Sequence, residues 1–580
     1  MESEQVAYDY DDFIQKSGDY DFEDDEPLAT DLIENEIIDE EQLLQQQQQF
    51  QLQLQLQQQH AAAQLPEVIR NYILYFHHCL KENNVYDLQG CYDNTFNKLT
   101  EKFFKTSPWP DPIEIVSPLV EGDQPFVVLY TEMYYRHIYA RLQPTLADRV
   151  SSFQNYCNWF NYIFRVATPI ELPVSWLWDI VDEFIYQYNS FLLYRVRTIR
   201  KGTNKEEIEQ LRDLDHDVWN TFNVLNVLYS MNSKLHSTEL AEKEGEESAK
   251  DGPSSLFKAL GYFTLIGLLR VHTLLGDFTL ALKSLEGIDL NKRSKYSRVT
   301  GAQFTIYYYV GFCYMMLRRY SDAIKSFSHI LLYISRTKNL HNKSSQYDAV
   351  TKRSDQMYAL LAMCVALCPT RLDDSIHTTL REKNGEQLAR MQRGGEESLA
   401  VFEELFSFAC PKFMSAGLPD YVNPANNVDP MQFHLKIFMM DVRNTMLAPT
   451  LRSYLKLYTT LHIEKLATFL EMDSKDLRSG LVVYKQKNYQ VRGTEGPLLE
   501  GDLVNVSDLD IFLEDDLINI SEARVMRKFG DWFLRNTAKY YVVQDTVLNK
   551  TVDKADRDGK DHRDNRRRDR REKNNDKTGK

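Results

Sequence analysis

The sequence predicts a mainly α-helical protein: an α-solenoid of helical repeats capped by a winged helix, between termini expected to be disordered. Three observations predict it. Apolar residues recur at helical spacing from residue 66 onward. Two segments 42 residues apart share the spacing of a repeat hairpin. Residues 451–534 then run through three amphipathic helices, two short strands and a last helix, the order of a winged helix and a layout suited to assembly with related chains.

Residues 1–41 hold seventeen acids against the single base Lys16, a net of −16 that equals the formal charge of the whole 580-residue chain. Tyrosines and phenylalanines are interspersed, but aliphatic clusters are too few to offset the entropy of ordering, so a solvated tail is expected. Acidic-aromatic tails of this kind can also dock on basic partners. Gln45–Gln59, with its Leu-Gln alternation, is low complexity and carries no chemistry. Residues 1–65 are thus read as a disordered leader, and folding is expected to begin at Pro66, a favourable first-turn residue ahead of Val68, Ile69, Tyr72, Ile73 and Phe76.

Residues 66–240 read as a first helical domain, dense in aromatics such as Tyr134, Tyr135 and Tyr139 and the run Trp176–Phe184. At this density aromatic side chains make interhelical core rather than a ligand cage. Pro108, Pro110, Pro112 and Pro118 break the array once. Residues 241–253 form a polar linker, and 254–450 read as TPR-like helical repeats. Phe278, Ala281 and Leu285, then Tyr320, Ala323 and Phe327, repeat the aromatic, small, large spacing of the second helix in a tetratricopeptide hairpin; Gly311 and Tyr314 fit the first helix of the later copy. The small residue is required because a bulky one would hold the paired helices apart.

The winged helix is placed at 451–521. Leu451, Leu455 and Tyr458 mark its first helix, Ile463, Leu466, Ala467 and Leu470 its second, and Leu477, Leu481 and Tyr484 its third, with Asp473 or Ser474 as N-cap. Asp510–Leu513 and Leu517–Ile520 flank the acidic turn Glu514-Asp515-Asp516 and read as a hairpin, the wing. Ser521 is expected to open a helix over 522–545 carrying Val525, Phe529, Trp532 and Phe533, before a disordered charged tail at 546–580.

Catalytic and cofactor chemistry find no support. Phosphate-loop, nucleophile-elbow and H-E-x-x-H motifs are absent, as is the His-x-His set of a metal-dependent deubiquitinase. His77 and His78 are adjacent and diverge by about 100° on a helix. Asp179 and Glu183 read as a solvated surface pair, with no cleft to shift their pKa. Seven scattered cysteines form no C-x-x-C pair; Cys364 and Cys368 lie one turn apart without a second ligand pair, so buried or half-buried thiols are expected and no metal. No signal or transit peptide is read at the acidic start, and no apolar run reaches the ~18 residues that span a bilayer, so no membrane partner and a reducing compartment, cytosol or nucleus, are expected.

Residues 551–580 hold twelve bases and eight acids, which leaves −4 for residues 42–550. A near-neutral body excludes global electrostatic nucleic-acid binding. Locally, Lys475, Arg478, Lys485 and Lys487 on the third winged helix could meet RNA phosphates; the preferred alternative is a solvated face on a helix that packs against a neighbouring subunit. The tail Arg563–Arg571 interleaves arginine with aspartate, which blunts its field and suits a solubilising tail, with RNA contact second.

Four long runs carry a further signal: Glu171–Tyr188, the stretch LGYFTLIGLLRVHTLLGDFTLALKSLEGIDLNKRS from Leu260, YYYVGFCYMMLRRYSDAIKSFSHILLYISRTK from Tyr307, and ELFSFACPKF from Glu404. They resemble the PCI-domain subunits of eukaryotic translation initiation factor 3, over roughly residues 66–540. The resemblance implies a PCI domain at about 325–521 and no catalytic residues. It also implies winged helices that associate edge to edge, where an exposed strand offers unpaired backbone groups, and C-terminal helices that join in a bundle. On that basis Ile511, Phe512, Ile518 and Ile520 belong to the partner-binding wing, and Val525, Phe529, Trp532 and Phe533 enter the bundle. The implied role is a cytoplasmic scaffold in a hetero-oligomer with initiation factor 3 subunits K and E, on the 40S ribosomal subunit, supporting 43S pre-initiation complex formation and mRNA recruitment. The alternative is a PCI scaffold of a proteasome-lid or signalosome-like complex. The resemblance gives the Gln-rich leader and the Arg/Asp tail no role.

Overall fold

A computed structural model describes residues 65–165, 170–202, 205–214, 218–244, 255–286, 288, 299–341, 347–423, 426–493, 496–522, 530, 532–548 and 566–569. The leader up to residue 64, most of the linker and most of the tail lie outside them. Within the tail, 566–569 form a helical turn.

The first block holds α1 (Glu67–Lys81), α2 (Val85–Gly90), α3 (Phe96–Phe103), α4 (Gln124–Arg141), α5 (Leu146–Arg165), α6 (Val174–Lys201), α7 (Lys205–Asp213) and α8 (Thr221–Glu244). Pro66 takes the N-cap position of α1, whose Ile69, Tyr72, Ile73 and Phe76 are buried. The proline-rich break ends in a π-helical turn, Pro112–Val116, opened by Asp111, whose carboxylate accepts from the amides of Ile113 and Glu114. Helix α8 runs on through the first four residues of the polar stretch 241–253.

The aromatic residues are core. Fully buried Trp176 stacks between Phe76 and Tyr92, at 5.6 and 4.8 Å between ring centroids. Trp219 fills the space among Phe153, Tyr156 and Phe184 and donates its indole N–H to the Arg149 carbonyl at 2.9 Å. Trp178 meets Phe263 edge-on at 5.5 Å. That contact crosses into the second block.

The second block consists of α9 (Ser255–Leu275), α10 (Phe278–Lys283), α11 (Thr300–Met316), α12 (Tyr320–His341), α13 (Tyr347–Leu367), α14 (Asp374–Arg393), α15 (Glu396–Ala409) and α16 (Pro430–Thr445). One hydrophobic cluster extends from Ile69 to Val442, so both blocks share a core. Ala281, Leu285, Ala323 and Phe327 are all fully buried. Gly311 of α11 lets α12 close in, since a Cβ there would stand 2.6 Å from the Phe327 ring. Gly311→Ala is therefore expected to lower stability by about 1–3 kcal/mol through overpacking, read as a shift of the denaturant midpoint at unchanged slope.

A second, smaller core belongs to the winged unit: Leu451, Leu455, Ile463, Leu466, Leu477, Leu481, Ile511 and Ile518. It is built from α17 (Ala448–Leu455), β1 (Thr460–His462), α18 (Ile463–Leu470), α19 (Ser474–Asn488), β2 (Tyr489–Arg492), β3 (Asp502–Asn505), β4 (Asp510–Glu514) and β5 (Leu517–Ser521). Asp473 precedes α19 as its N-cap. Strands β4 and β5 form an antiparallel hairpin, with Asp515 at φ 51° in its turn, and β1 pairs on the far side of β5. A second hairpin, β2–β3, stands apart. Neither it nor β1 is foreseen by the sequence pattern. Ser521 overturns an expectation: it closes β5 opposite Asp510 instead of opening a helix. Beyond it, helical residues are described at 530, over 532–548 and at 566–569. The result is a mainly helical array ending in a small winged-helix-like element with open sheets.

Candidate assembly surface and its anchorage

The winged unit is held to the array by two acid-centred clasps. Arg319, in the turn between α11 and α12, is buried and forks onto Asp322 at 2.8 and 3.1 Å. The same guanidinium donates to the carbonyls of Leu498 and Leu499, at 3.0 and 2.9 Å, and of Glu500 at 3.3 Å, in the loop joining β2 to β3. Tyr314 donates to Leu498 as well, and Asp322 accepts from the Gly493 amide at 2.8 Å. The second clasp is Asp441 of α16, which accepts from Tyr320 at 2.5 Å, pairs with Arg318 at 3.0 Å and pairs with Lys487 of α19. Nothing in the sequence singles out either clasp.

Of the expected wing contacts, Ile511 and Ile518 are buried in the winged unit's own core and have no surface to offer. Ile520 is half-buried and Phe512 is exposed. Strand β4 is a sheet edge. The Ile520 amide donates to Thr459, on the β1 side, so Ile511 opposite it turns its backbone groups outward. Both are already engaged: its amide donates to Asp510 Oδ1 at 2.9 Å, and its carbonyl accepts from Lys485 Nζ at 2.7 Å.

The four basic residues of α19 do not form one face toward solvent. Arg478 binds the wing's acidic turn through the Asp515 carbonyl at 2.7 Å and the Asp516 carboxylate at 2.5 Å. Lys485 lies over the Phe512 ring at 4.3 Å, and Lys487 belongs to the Asp441 clasp. Lys475 is exposed on the first turn.

Val525 and Phe529 lie outside the described residues. Trp532 and Phe533 are 57% and 63% exposed, within the helical residues 532–548. Leu534, Tyr540, Tyr541, Val542, Val543, Val547 and Leu548 are exposed too. Phe533, Tyr540, Val543 and Val547, at i, i+7, i+10 and i+14, continue one apolar face for four turns, a helical spacing that the sequence itself carries.

Asp179 and Glu183 are half-buried and partnered instead of fully solvated surface acids. Tyr92 donates to Asp179 at 2.7 Å, Arg136 approaches Asp179 at 3.7 Å and pairs with buried Glu132, and Trp176 donates to Glu132 at 3.3 Å. Burial, opposed by Arg136, pushes Asp179 and Glu183 each up to about 7, and burial pushes Glu132 well up also. In the unfolded chain such carboxyls titrate near 4. The native state therefore binds more protons than the unfolded chain between the two values, and the stability this gives is lost as pH rises through about 7. Glu183→Gln, which keeps the Gln187 hydrogen bond, is expected to flatten the fall in melting midpoint between about pH 4 and pH 7.

Cys364 and Cys368 are buried free thiols, and burial pushes Cys368 up to about 11. Among the described residues no group of three or more His, Cys, Asp or Glu could hold a metal, and no helix is long and apolar enough to cross a membrane.

Residues 148–540 match the family model described as RNA polymerase I-associated factor PAF67. The chain is 50% identical over 546 residues to eukaryotic translation initiation factor 3 subunit L of Yarrowia lipolytica, covering 93% of this chain and 99% of that protein. It is 46% identical over 506 residues to subunit L of Mycosarcoma maydis, covering 84% and 75%. With subunit L of Aspergillus clavatus it shares 55% over 408 residues, covering 69% and 86%.

Proposed function

The chain belongs to the family of eukaryotic translation initiation factor 3 subunit L, and from that membership we infer that it is a non-catalytic scaffold subunit of initiation factor 3. The observation that carries this reading is identity sustained along almost the full length of both chains, from the first helical block through the winged unit. The array with its winged end is read as TPR-like repeats and a PCI domain spanning about 325–521, after a first helical domain at 66–240 and a linker at 241–253. The helix over 532–548, with its uncovered Trp532 and Phe533, supports assembly through a helix bundle. Exposed Phe512 and half-buried Ile520 support a smaller contribution from the wing. Subunits K and E are the proposed neighbours, in the cytoplasm, with the 40S ribosomal subunit as the surface on which the assembly supports 43S complex formation and mRNA recruitment. Contact with RNA through α19 is a lesser reading, because Arg478, Lys485 and Lys487 are engaged within the chain.

Affinity purification of the tagged full chain is expected to recover the other initiation factor 3 subunits and 40S particles. Recovery of proteasome-lid, signalosome or RNA polymerase I subunits in their place would overturn the reading.

A further inference from the structure

Between the end of the helical array and the winged unit lies a cleft of about 820 Å3. Six bases line it, Arg371, Arg452, Lys456, Lys487, Arg492 and Arg535, against one acid, Asp508. Arg452 and Lys456 share Asp508 at 2.8 and 3.2 Å, and Lys487 pairs with Asp441. Arg371 and Arg492 are exposed and have no ion pair among the described residues. The cleft is therefore a local concentration of positive charge on a body whose residues 42–550 carry −4. A second observation is independent of charge. Tyr484 also lines the cleft, is 5% exposed, and its buried hydroxyl has no hydrogen-bond partner. A buried hydroxyl left alone is costly, and an acceptor brought into the cleft would satisfy it. Met391, Phe402, Val442 and Met446 supply apolar wall beside these groups.

We propose that this cleft binds an acidic, aromatic peptide, and that in the free chain its occupant is the chain's own leader, centred on Asp19–Glu26. That octapeptide holds six acids and the aromatics Tyr20 and Phe22, which match the cleft's bases and its apolar wall. Carboxylates on exposed arginines make weak pairs individually, but a tethered segment is present at an effective concentration in the millimolar range and needs little intrinsic affinity. Residues 27–64 reach up to roughly 130 Å when extended, so the tether does not limit access. A free polyanion such as RNA has no tether and approaches a body of net negative charge, which favours the leader over nucleic acid.

Zero-length carbodiimide coupling of the full chain, read by peptide mass spectrometry, tests this. Carboxylates of residues 19–26 should couple to Lys456 and not to Lys475, which is exposed but outside the cleft. Arg371→Ala with Arg492→Ala, both at exposed positions, should reduce that yield about fivefold. Raising the salt to about 0.5 M should reduce it as well. Coupling spread evenly over surface lysines, Lys475 included, or a yield indifferent to the double substitution, would overturn the proposal. A single-stranded oligonucleotide, titrated against the same full chain by anisotropy, forms the second arm. Salt-sensitive binding lost in the double variant, with no leader coupling to the cleft, would make the cleft a nucleic-acid site and end the leader assignment.

Discussion

Trp532→Ala combined with Phe533→Ala is expected to leave the isolated subunit folded while stripping it from the multisubunit assembly. The two rings lie 5.1 Å apart, edge to face, and are more than half exposed in the chain by itself. Truncating exposed side chains changes folding free energy within about 0.5 kcal/mol, so the melting midpoint should hold. Buried in a helix bundle, the same aromatics become central anchors worth about 2 kcal/mol or more each. Losing both weakens association by about a thousandfold, since each 1.4 kcal/mol is tenfold. Thermal unfolding of the purified subunit and co-purification of the tagged variant separate the two effects. A large drop in midpoint with normal incorporation would mean that the stripe packs on this chain, and the bundle role would be withdrawn.

Arg319→Ala should produce the largest loss of intrinsic stability. The substitution removes the guanidinium that forks onto Asp322 and holds three loop carbonyls, leaving the buried carboxylate with only the exposed Lys325 and the Gly493 amide, and the carbonyls of Leu499 and Glu500 without their side-chain donor, while Leu498 keeps Tyr314. Breaking a buried pair from one side costs about 3–5 kcal/mol. Arg319→Lys should not restore it, because an ammonium cannot reproduce a planar fork that serves a carboxylate and a row of carbonyls together. Hydrogen exchange should accelerate first in the β2–β3 loop, at residues 496–500, and the denaturant midpoint should fall with it. An unchanged midpoint together with unchanged exchange there would show that the winged unit is held by other contacts.

What the sequence made legible follows from how far each signal reaches along the chain. The three helices of the winged unit and its wing hairpin were readable because Leu451, Leu455, Ile463, Leu466, Leu477 and Leu481 keep a helical period, and because an acidic turn separates two β-rich runs. Strands β1, β2 and β3 were not, since three or four residues such as Thr460–His462 are too few to display alternation. The repeat spacing foretold close packing at Ala323 and Phe327, with Gly311 placed to admit it. The Arg319 clasp escaped because its acceptors are backbone carbonyls about 180 positions away, and a carbonyl has no residue signature. Asp179 and Glu183 looked like any i, i+4 surface pair. Their raised pKa values come from burial among residues of other helices, an effect that Arg136 opposes. Ser521 satisfies an N-cap rule locally, while its pairing with Asp510, which no local pattern announces, settles that residue as strand.

The engaged edge at Ile511 bears on the interval between synthesis and assembly. A subunit released before its neighbours are available carries a bare strand margin into a crowded solution, where identical margins are its commonest encounter. With the Ile511 amide held by Asp510 and its carbonyl held by Lys485, an incoming strand meets an interrupted ladder and must displace a charged side chain at its centre. Two copies approaching edge to edge along β4 meet the same interruption on both sides, so this margin favours a partner whose contacts repay that displacement.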